Sequence, residues 1–228
     1  PEVADVPNLV ALPPSHLGAP LPGGSGPCLV DEVGRGFVDC LRFTTGVANN
    51  GQVPLDLSSD LRDGRVAMTQ ALPGEDHEAG LASYHASHGH FHYARFMAFD
   101  LHAVADSGLR GEQVITQPKT GFCMVDWGSL ADAEELPVKT FWRDGCEARQ
   151  RHLEMGVNPG WYDIYRWFLP EQAIDVAGLP DGTYDLIVTV DPDGTLIETH
   201  TLDNRAATRF TLQDGHATVL AQHGLYRI

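Results

Sequence analysis

Lysine is scarce in this chain of 228 residues: of its 15 basic residues, only Lys119 and Lys139 are lysines. Acidic residues number 31, so the formal net charge is −16, and the sequence contains no basic cluster. Nucleic-acid binding relies on clustered Lys and Arg that neutralise phosphates, so the composition argues against such a partner. The long-range electrostatic field of this negative charge instead favours cationic partners such as primary amines or lysine-rich proteins.

Long apolar runs and C-x-x-C pairs are also missing. Without about 18 consecutive apolar residues, the sequence predicts no membrane span. The lack of C-x-x-C disfavours a structural zinc site or a thiol redox motif. The four cysteines allow three pairings, and their spacing favours Cys28 with Cys40 and Cys123 with Cys146. We therefore expect a secreted, extracellular protein with two disulfides in preference to one with buried free thiols.

Strand signals dominate the rest of the chain. Residues 1–27 are rich in proline and glycine, with one apolar run at 8–12 that predicts an edge strand. Alternation and turn residues predict strands at 40–45 and 55–57, a hairpin of 183–190 with 195–200, and another of 208–212 with 217–220. Helices are predicted only at 129–136 and 171–176. We expect a single all-β domain over residues 1–228, sandwich-like, with long functional loops between residues 73 and 170.

Four of the eleven histidines fall within eight residues. On a β-strand, side chains alternate with a period of two, so His88, His90 and His92 are predicted to share one face. The other face would carry Gly89, Phe91 and Tyr93 toward the core. His85 is at an odd-numbered position and does not share this face, so we expect it to lie beside the site or on the surface. Three imidazoles on one face predict a metal site with a fourth position open to water or substrate.

The histidine spacing does not name the metal or the reaction. Copper, zinc, nickel and iron all accept three imidazoles, and a hydrolase, a hydratase and an oxidase all use such sites. Two alternatives therefore stand beside an oxidase: a non-catalytic module that binds copper or zinc, and a three-His zinc hydrolase. The hydrolase alternative has no H-E-x-x-H helix to support it.

Several blocks, in order along the chain, resemble the lysyl oxidase family of copper-dependent enzymes that oxidise peptidyl lysine. Residues 85–92 read H-A-S-H-G-H-F-H, where the family has H-x-x-H-x-H-Y-H. Residues 119–123 read K-T-G-F-C against K-A-S-F-C, and residues 160–166 read G-W-Y-D-I-Y-R against G-C-W-D-M-Y-R. The common order of the blocks makes the match specific. Animal members carry more cysteines than this chain, which favours its interpretation as a smaller microbial relative.

The resemblance implies a cofactor set and a reaction. Copper would be bound by His88, His90 and His92, and the organic cofactor, lysine tyrosylquinone, would form from Lys119 and Tyr165. Primary amines or peptidyl lysine would be oxidised by dioxygen to aldehydes, with release of ammonia and hydrogen peroxide. Zinc in the histidine site would mark a precursor. Asp163 is our candidate catalytic base, since it shares a face with Tyr165 if the segment is extended.

An oxygen-rich loop near the C-terminus suits calcium. The loop carries Glu198, Asp203 and Asn204. In the animal enzymes that the chain resembles, this loop and the N-terminal strand hold a calcium ion, which implies Asn8 and the carbonyl of Leu9 as further partners. His200 stands where the family has an acid, and an ordinary acidic turn is the alternative interpretation.

Overall fold

The computed structural model describes residues 6–18, 26–61, 66–130, 138–147 and 151–226, with the backbone alone at 118 and 119. In these ranges fifteen strands are accompanied by a four-residue helix, Val30–Val33, and a short 3-10 helix, Arg143–Cys146. The strands are β1 Leu9–Ser15, β2 Cys40–Arg42, β3 Thr44–Asn49, β4 Leu55–Asp60, β5 Val66–Gln70, β6 His77–His85, β7 His90–Val104, β8 Arg110–Phe122, β9 Gly128–Ser129, β10 His152–Val157, β11 Trp161–Tyr165, β12 Ala173–Asp175, β13 Gly182–Val190, β14 Arg205–Gln213 and β15 His216–His223. The prediction of an all-β domain is confirmed.

Antiparallel pairing organises the strands into one large and two small sheets. The large sheet runs β10-β4-β5-β6-β7-β13-β14-β15, and β8 also pairs with β7. A four-stranded sheet has the order β1-β3-β11-β9, and β12 pairs with β2. Strand β7 pairs with β6 through its first residues and with β13 from Met97 onward. The long strand β7 thus connects the histidine block to the centre of the large sheet.

One apolar core joins the two larger sheets. Leu9 and Ala11 of β1 and Tyr165 of β11 belong to the same buried cluster as Phe99 of β7 and Leu186 of β13. The other face of β1 packs against Ala48, Tyr162 and Ile164 in a second cluster. Both faces of this edge strand are therefore buried, which explains its uninterrupted apolar sequence. No helix in the described part of the chain has the length and hydrophobicity to cross a membrane.

The two disulfides join Cys28 to Cys40 and Cys123 to Cys146, the pairs that the spacing favours. The hairpin of 208–212 with 217–220 is present as β14 and β15. The hairpin of 183–190 with 195–200 was wrong, because β13 pairs with β14 and β7 instead. Residues 192 and 193 form a turn, and the backbone N–H groups of Thr195 and Leu196 after it donate to the Asp191 carboxylate.

The helix predicted at 171–176 was also wrong. Residues 173–175 form β12 and pair with β2, and Glu171 has a φ of 68°, which interrupts a helix. Of the helix predicted at 129–136, Ser129 lies in β9 and residues 131–136 lie outside the described residues. The long loops expected between 73 and 170 are largely strands β6, β7, β8, β10 and β11.

Candidate metal centre

The histidine block forms the turn and the start of a hairpin. Residues 86–89 form the turn between β6 and β7, and Gly89 adopts the left-handed conformation at φ 73°. His88 therefore lies in the turn, and the prediction of three histidines on one strand was wrong for it. His90 and His92 follow on β7, and Tyr93 is buried on the opposite face, as expected. The turn folds His88 back over the face that carries the other two imidazoles.

Three ring nitrogens converge in this turn. His88 Nδ1 lies 3.0 Å from His92 Nε2, which lies 3.1 Å from His90 Nε2. Nitrogens bound at about 2.0–2.1 Å to one tetrahedral ion stand about 3.3 Å apart, so a small expansion of the cluster would admit a metal. The Nδ1–H of His90 is in position to donate to the carbonyl of His88, 3.0 Å away, which would leave its Nε2 lone pair facing the centre. The residues therefore fit a metal ion.

The imidazoles are held in the neutral form that binds metals. Burial, with the neighbouring His85 and His90, lowers the pKa of His88 to about 4. Burial, again with neighbouring imidazoles, lowers the pKa of His92 to about 2. The pKa of His90 is lowered by burial and by the charge of Arg143. At neutral pH the cluster therefore presents lone pairs instead of positive charges.

Tyr165 is buried next to these imidazoles. Its ring centroid lies 5.8 Å from that of His92 and 3.9 Å from that of Phe122. The backbone N–H of Cys123 donates to its hydroxyl at 2.7 Å. Burial, with Asp163 nearby, raises the pKa of Tyr165 well above its ordinary value, so the phenol is neutral. The structure thus brings this predicted cofactor residue beside the predicted metal ligands.

Asp163 lies on the same strand as Tyr165, and both side chains are buried. Its Oδ2 has no hydrogen-bond partner among the described residues. Burial raises the pKa of this carboxyl group well above its ordinary value. An aspartate in such surroundings is a stronger base than a solvated one.

Lys119 lies on β8, whose residue Phe122 packs against Tyr165. The next residue, Thr120, pairs with Met97 of β7. The backbone of β8 therefore runs along the strand that carries His90 and His92. The side chain of Lys119 lies outside the described part of the chain, so its pairing with Tyr165 stays a prediction.

A cavity of about 420 Å³ opens onto this cluster. Its lining includes His88, His90, Asp163 and Tyr165, and Trp127 and Phe168 are about half exposed there. Sequence reasoning missed Arg143, a lining residue whose charge acts on His90 and Tyr165. It also missed Glu171, which contacts His85 beside the cluster. Both contacts arise from distant segments, so no local sequence signal pointed to them.

Gly121 is required for the close approach of β8 to His92. A Cβ at this position would lie 2.9 Å from His92 Cβ and 2.9 Å from the carbonyl oxygen of Tyr93, closer than real Cβ contacts. We expect Gly121→Ala to displace His92, to lower stability by about 1–3 kcal/mol and to weaken metal binding at the histidine cluster about tenfold. Copper titration and thermal unfolding would measure both effects. Gly182→Ala, where the nearest contact is 3.5 Å, is the matched control; equal copper affinities in both variants would contradict the prediction.

The predicted calcium residues also lie together. Asn8 Nδ2 donates to Asp203 at 2.8 Å, and Asn204 Nδ2 donates to Glu198 at 2.6 Å. Leu9 contacts Glu198 through its backbone N–H at 3.1 Å, where its carbonyl was the expected partner. The buried Oδ1 of Asn204 has no hydrogen-bond partner among the described residues. His200 Nδ1 lies 3.0 Å from Asp203 Oδ1.

An all-β domain with three converging imidazoles beside a buried tyrosine has the architecture of a histidine-ligated metalloprotein. The family model described as lysyl oxidase matches residues 64–222. The chain therefore belongs to the lysyl oxidase family.

Curated relatives agree with this assignment. The chain is 27% identical to lysyl oxidase homolog 2 of Gallus gallus over 176 residues, which cover 76% of this chain and 18% of that protein. It is 27% identical to lysyl oxidase homolog 2 of Bos taurus over 182 residues, or 79% and 19% of the two chains. With lysyl oxidase homolog 3B of Danio rerio it shares 29% identity over 134 residues, or 58% and 15%. The chain thus matches less than a fifth of each of these relatives.

Proposed function

We propose that this chain is a copper-dependent amine oxidase domain that converts primary amines, including peptidyl lysine, to aldehydes. The observation that carries the proposal is the convergence of three imidazole nitrogens beside a buried tyrosine, whose ring centroid lies 5.8 Å from that of His92. Family membership supports the same reaction class. Ammonia and hydrogen peroxide would be the further products, and dioxygen the oxidant. The two disulfides suit an extracellular protein.

Each residue has a role that follows from its surroundings. Copper held by His88, His90 and His92 would supply redox chemistry with dioxygen, and the cross-link of Lys119 with Tyr165 would supply the carbonyl that accepts a primary amine. The Cys123 N–H, held by the Cys123–Cys146 disulfide, orients the Tyr165 hydroxyl. Asp163 would take the proton from the carbon next to the substrate nitrogen.

The walls of the cavity suit an apolar alkyl chain that ends in an amine. Trp127 and Phe168 offer aromatic surface at its edge. Burial keeps the phenol of Tyr165 neutral. Zinc in the histidine site would leave Lys119 and Tyr165 unjoined, as in a precursor, because zinc has no redox chemistry.

A peptide map of copper-loaded, aerated protein after disulfide reduction tests the proposal. Mass spectrometry should find the peptide that carries Lys119 joined to the peptide that carries Tyr165, and hydrogen peroxide should appear when a primary amine is added. Protein loaded with zinc is the control and should give two separate peptides. Separate, unmodified peptides in a sample confirmed to hold copper would favour a non-catalytic metal-binding module or a hydrolase.

We propose a calcium site formed by Asn8, Leu9, Glu198, Asp203 and Asn204. Two carboxylates and two amide groups gather between the N-terminal strand and the loop before β14. The support is the buried, unpartnered Oδ1 of Asn204 and the unfavourable surroundings of Glu198. Burial, with Asp191 and Asp203 nearby, raises the pKa of Glu198 to about 7. A divalent cation would relieve this repulsion and stabilise the ionised carboxylate.

Glu198 should make the stability of the cation-free protein depend on pH. Its pKa rises from an ordinary 4.5 to about 7 on folding, so between these values the folded state holds a proton that the unfolded state has lost. We therefore expect its contribution to stability to fall as pH rises through this window and then to level off. Thermal unfolding of wild type and Glu198→Gln from pH 4.5 to 8 isolates this contribution, with Glu78→Gln, an exposed site, as control.

Calcium added at pH 8 should raise the unfolding temperature of wild type and of Glu78→Gln, and leave Glu198→Gln nearly unchanged. Equal stabilisation of all three proteins by calcium would show that Glu198 is not a calcium ligand. Stability curves of parallel slope in wild type and Glu198→Gln would contradict the assigned pKa shift.

A further inference from the structure

A fourth histidine lies against the metal cluster but is turned away from its centre. The ring of His85 stacks on that of His92, with centroids 4.7 Å apart and planes at 23°, and lies 4.4 Å from that of His88. Its Nε2 lies 2.9 Å from Glu171 Oε1, and its Nδ1 lies 3.0 Å from Ser87 Oγ. Among the described residues, the nitrogens that converge there are those of His88, His90 and His92.

Both nitrogens of His85 are thereby engaged. A carboxylate only accepts hydrogen bonds, so Nε2 carries the proton that it donates to Glu171. In the neutral ring, the Nδ1 lone pair then accepts from the Ser87 hydroxyl; in the protonated ring, Nδ1 is itself a donor. In neither form does His85 have a free lone pair to offer a metal ion.

Glu171 is anchored independently of His85. Its side chain is 7% exposed and forms a short ion pair with Arg35. Its backbone N–H donates to the carboxylate of Glu32 at 3.1 Å, and buried Glu32 pairs with Arg42 at 2.7 Å. Burial alone would raise the pKa of Glu171, but the hydrogen bond from His85 and the charge of Arg35 hold it below its ordinary value. The acceptor for His85 is thus both fixed and ionised.

We propose that Glu171 and Ser87 are positioning residues that hold His85 out of the coordination sphere, so that the metal keeps three imidazoles and an open position. This inference rests on the proposed metal role of His88, His90 and His92. A site closed by four protein ligands is typical of structural metals, whereas a catalytic site needs room for an exogenous ligand. The His85 ring lies against the rings of two candidate ligands, so its hydrogen bonds to Glu171 and Ser87 would decide whether it joins them.

The number of imidazoles that coordinate copper in wild type and in variants tests the proposal. Pulsed EPR should find three coordinating imidazoles in wild type and four in Glu171→Ala, whose azide affinity should fall about tenfold as the open position fills. Glu171→Gln keeps the acceptor oxygen and should behave like wild type. The double variant Glu171→Ala/His85→Ala should return to three imidazoles and recover azide binding. His85→Ala alone should keep three.

Ser87→Ala removes the hydrogen bond to the other nitrogen of His85, Nδ1. Because Ser87 is exposed in a turn, this variant is the substitute test if Glu171→Ala does not fold. Three imidazoles and unchanged azide affinity in both Glu171→Ala and Ser87→Ala would overturn the inference. So would the loss of an imidazole in His85→Ala, because His85 would then already be a ligand. Fewer than three imidazoles in wild type would instead overturn the site assignment behind the proposed function.

Discussion

Replacement of Lys119 by arginine should abolish amine oxidation, by at least about 10³-fold, while the protein still binds one copper ion. Formation of the quinone cross-link requires a deprotonated lysine amine, and arginine stays protonated at any working pH. The substitution preserves charge and length on a strand that carries no predicted metal ligand. The expected loss is therefore chemical and leaves the histidine site intact.

The chain offers a closely matched control, because Lys139 is its one other lysine. Lys139 lies over the Trp142 ring at 4.2 Å, outside the set that lines the cavity. Lys139→Arg should keep both the cross-link and the turnover. Hydrogen peroxide release, copper content and the peptide map should be measured on both variants. Undiminished turnover in Lys119→Arg would eliminate the quinone mechanism and favour a metal-binding module.

Replacement of His92 by alanine should remove copper binding almost entirely. His92 is 1% exposed, and its Nε2 is the nitrogen that lies within 3.1 Å of both other ligands. Its loss leaves two imidazoles, one of them in a turn, and two ligands hold a metal far less tightly than three. Because the cross-link depends on copper, Lys119 and Tyr165 should also remain unjoined.

His102→Ala is the control for this effect, because His102 lies on the same strand, partly exposed and ten residues from His92. Copper content after dialysis, measured on protein whose folding is checked by circular dichroism, should stay near one per chain in the control and fall below about a tenth in His92→Ala. Retention of stoichiometric copper in a folded His92→Ala would place the metal elsewhere. A cross-link in that variant would separate cofactor formation from this site.

The sequence predicted the family and the clustering of the histidines better than the local conformation. Histidines 90 and 92 were placed correctly on one strand face because strand periodicity is a local property. His88 was misplaced because Gly89 permits a left-handed turn at a position that a strand pattern also tolerates. The segment 171–176 reads as a helix in isolation, but pairing with β2 makes its centre a strand. Tertiary pairing overrides weak local preference in such short segments.

By itself, the sequence determined the all-β class, the candidate metal ligands and the family, and it favoured the observed disulfide pairs, because periodicity, spacing and motif order are properties of the linear chain. Only the tertiary structure decided that Tyr165 lies beside the imidazoles, and that Glu171 contacts both Arg35 and His85 across separations of 136 and 86 residues. Tertiary structure also decided the pKa values of Asp163 and Tyr165. Burial between the sheets raises both values, and these side chains are buried only when distant strands pack together.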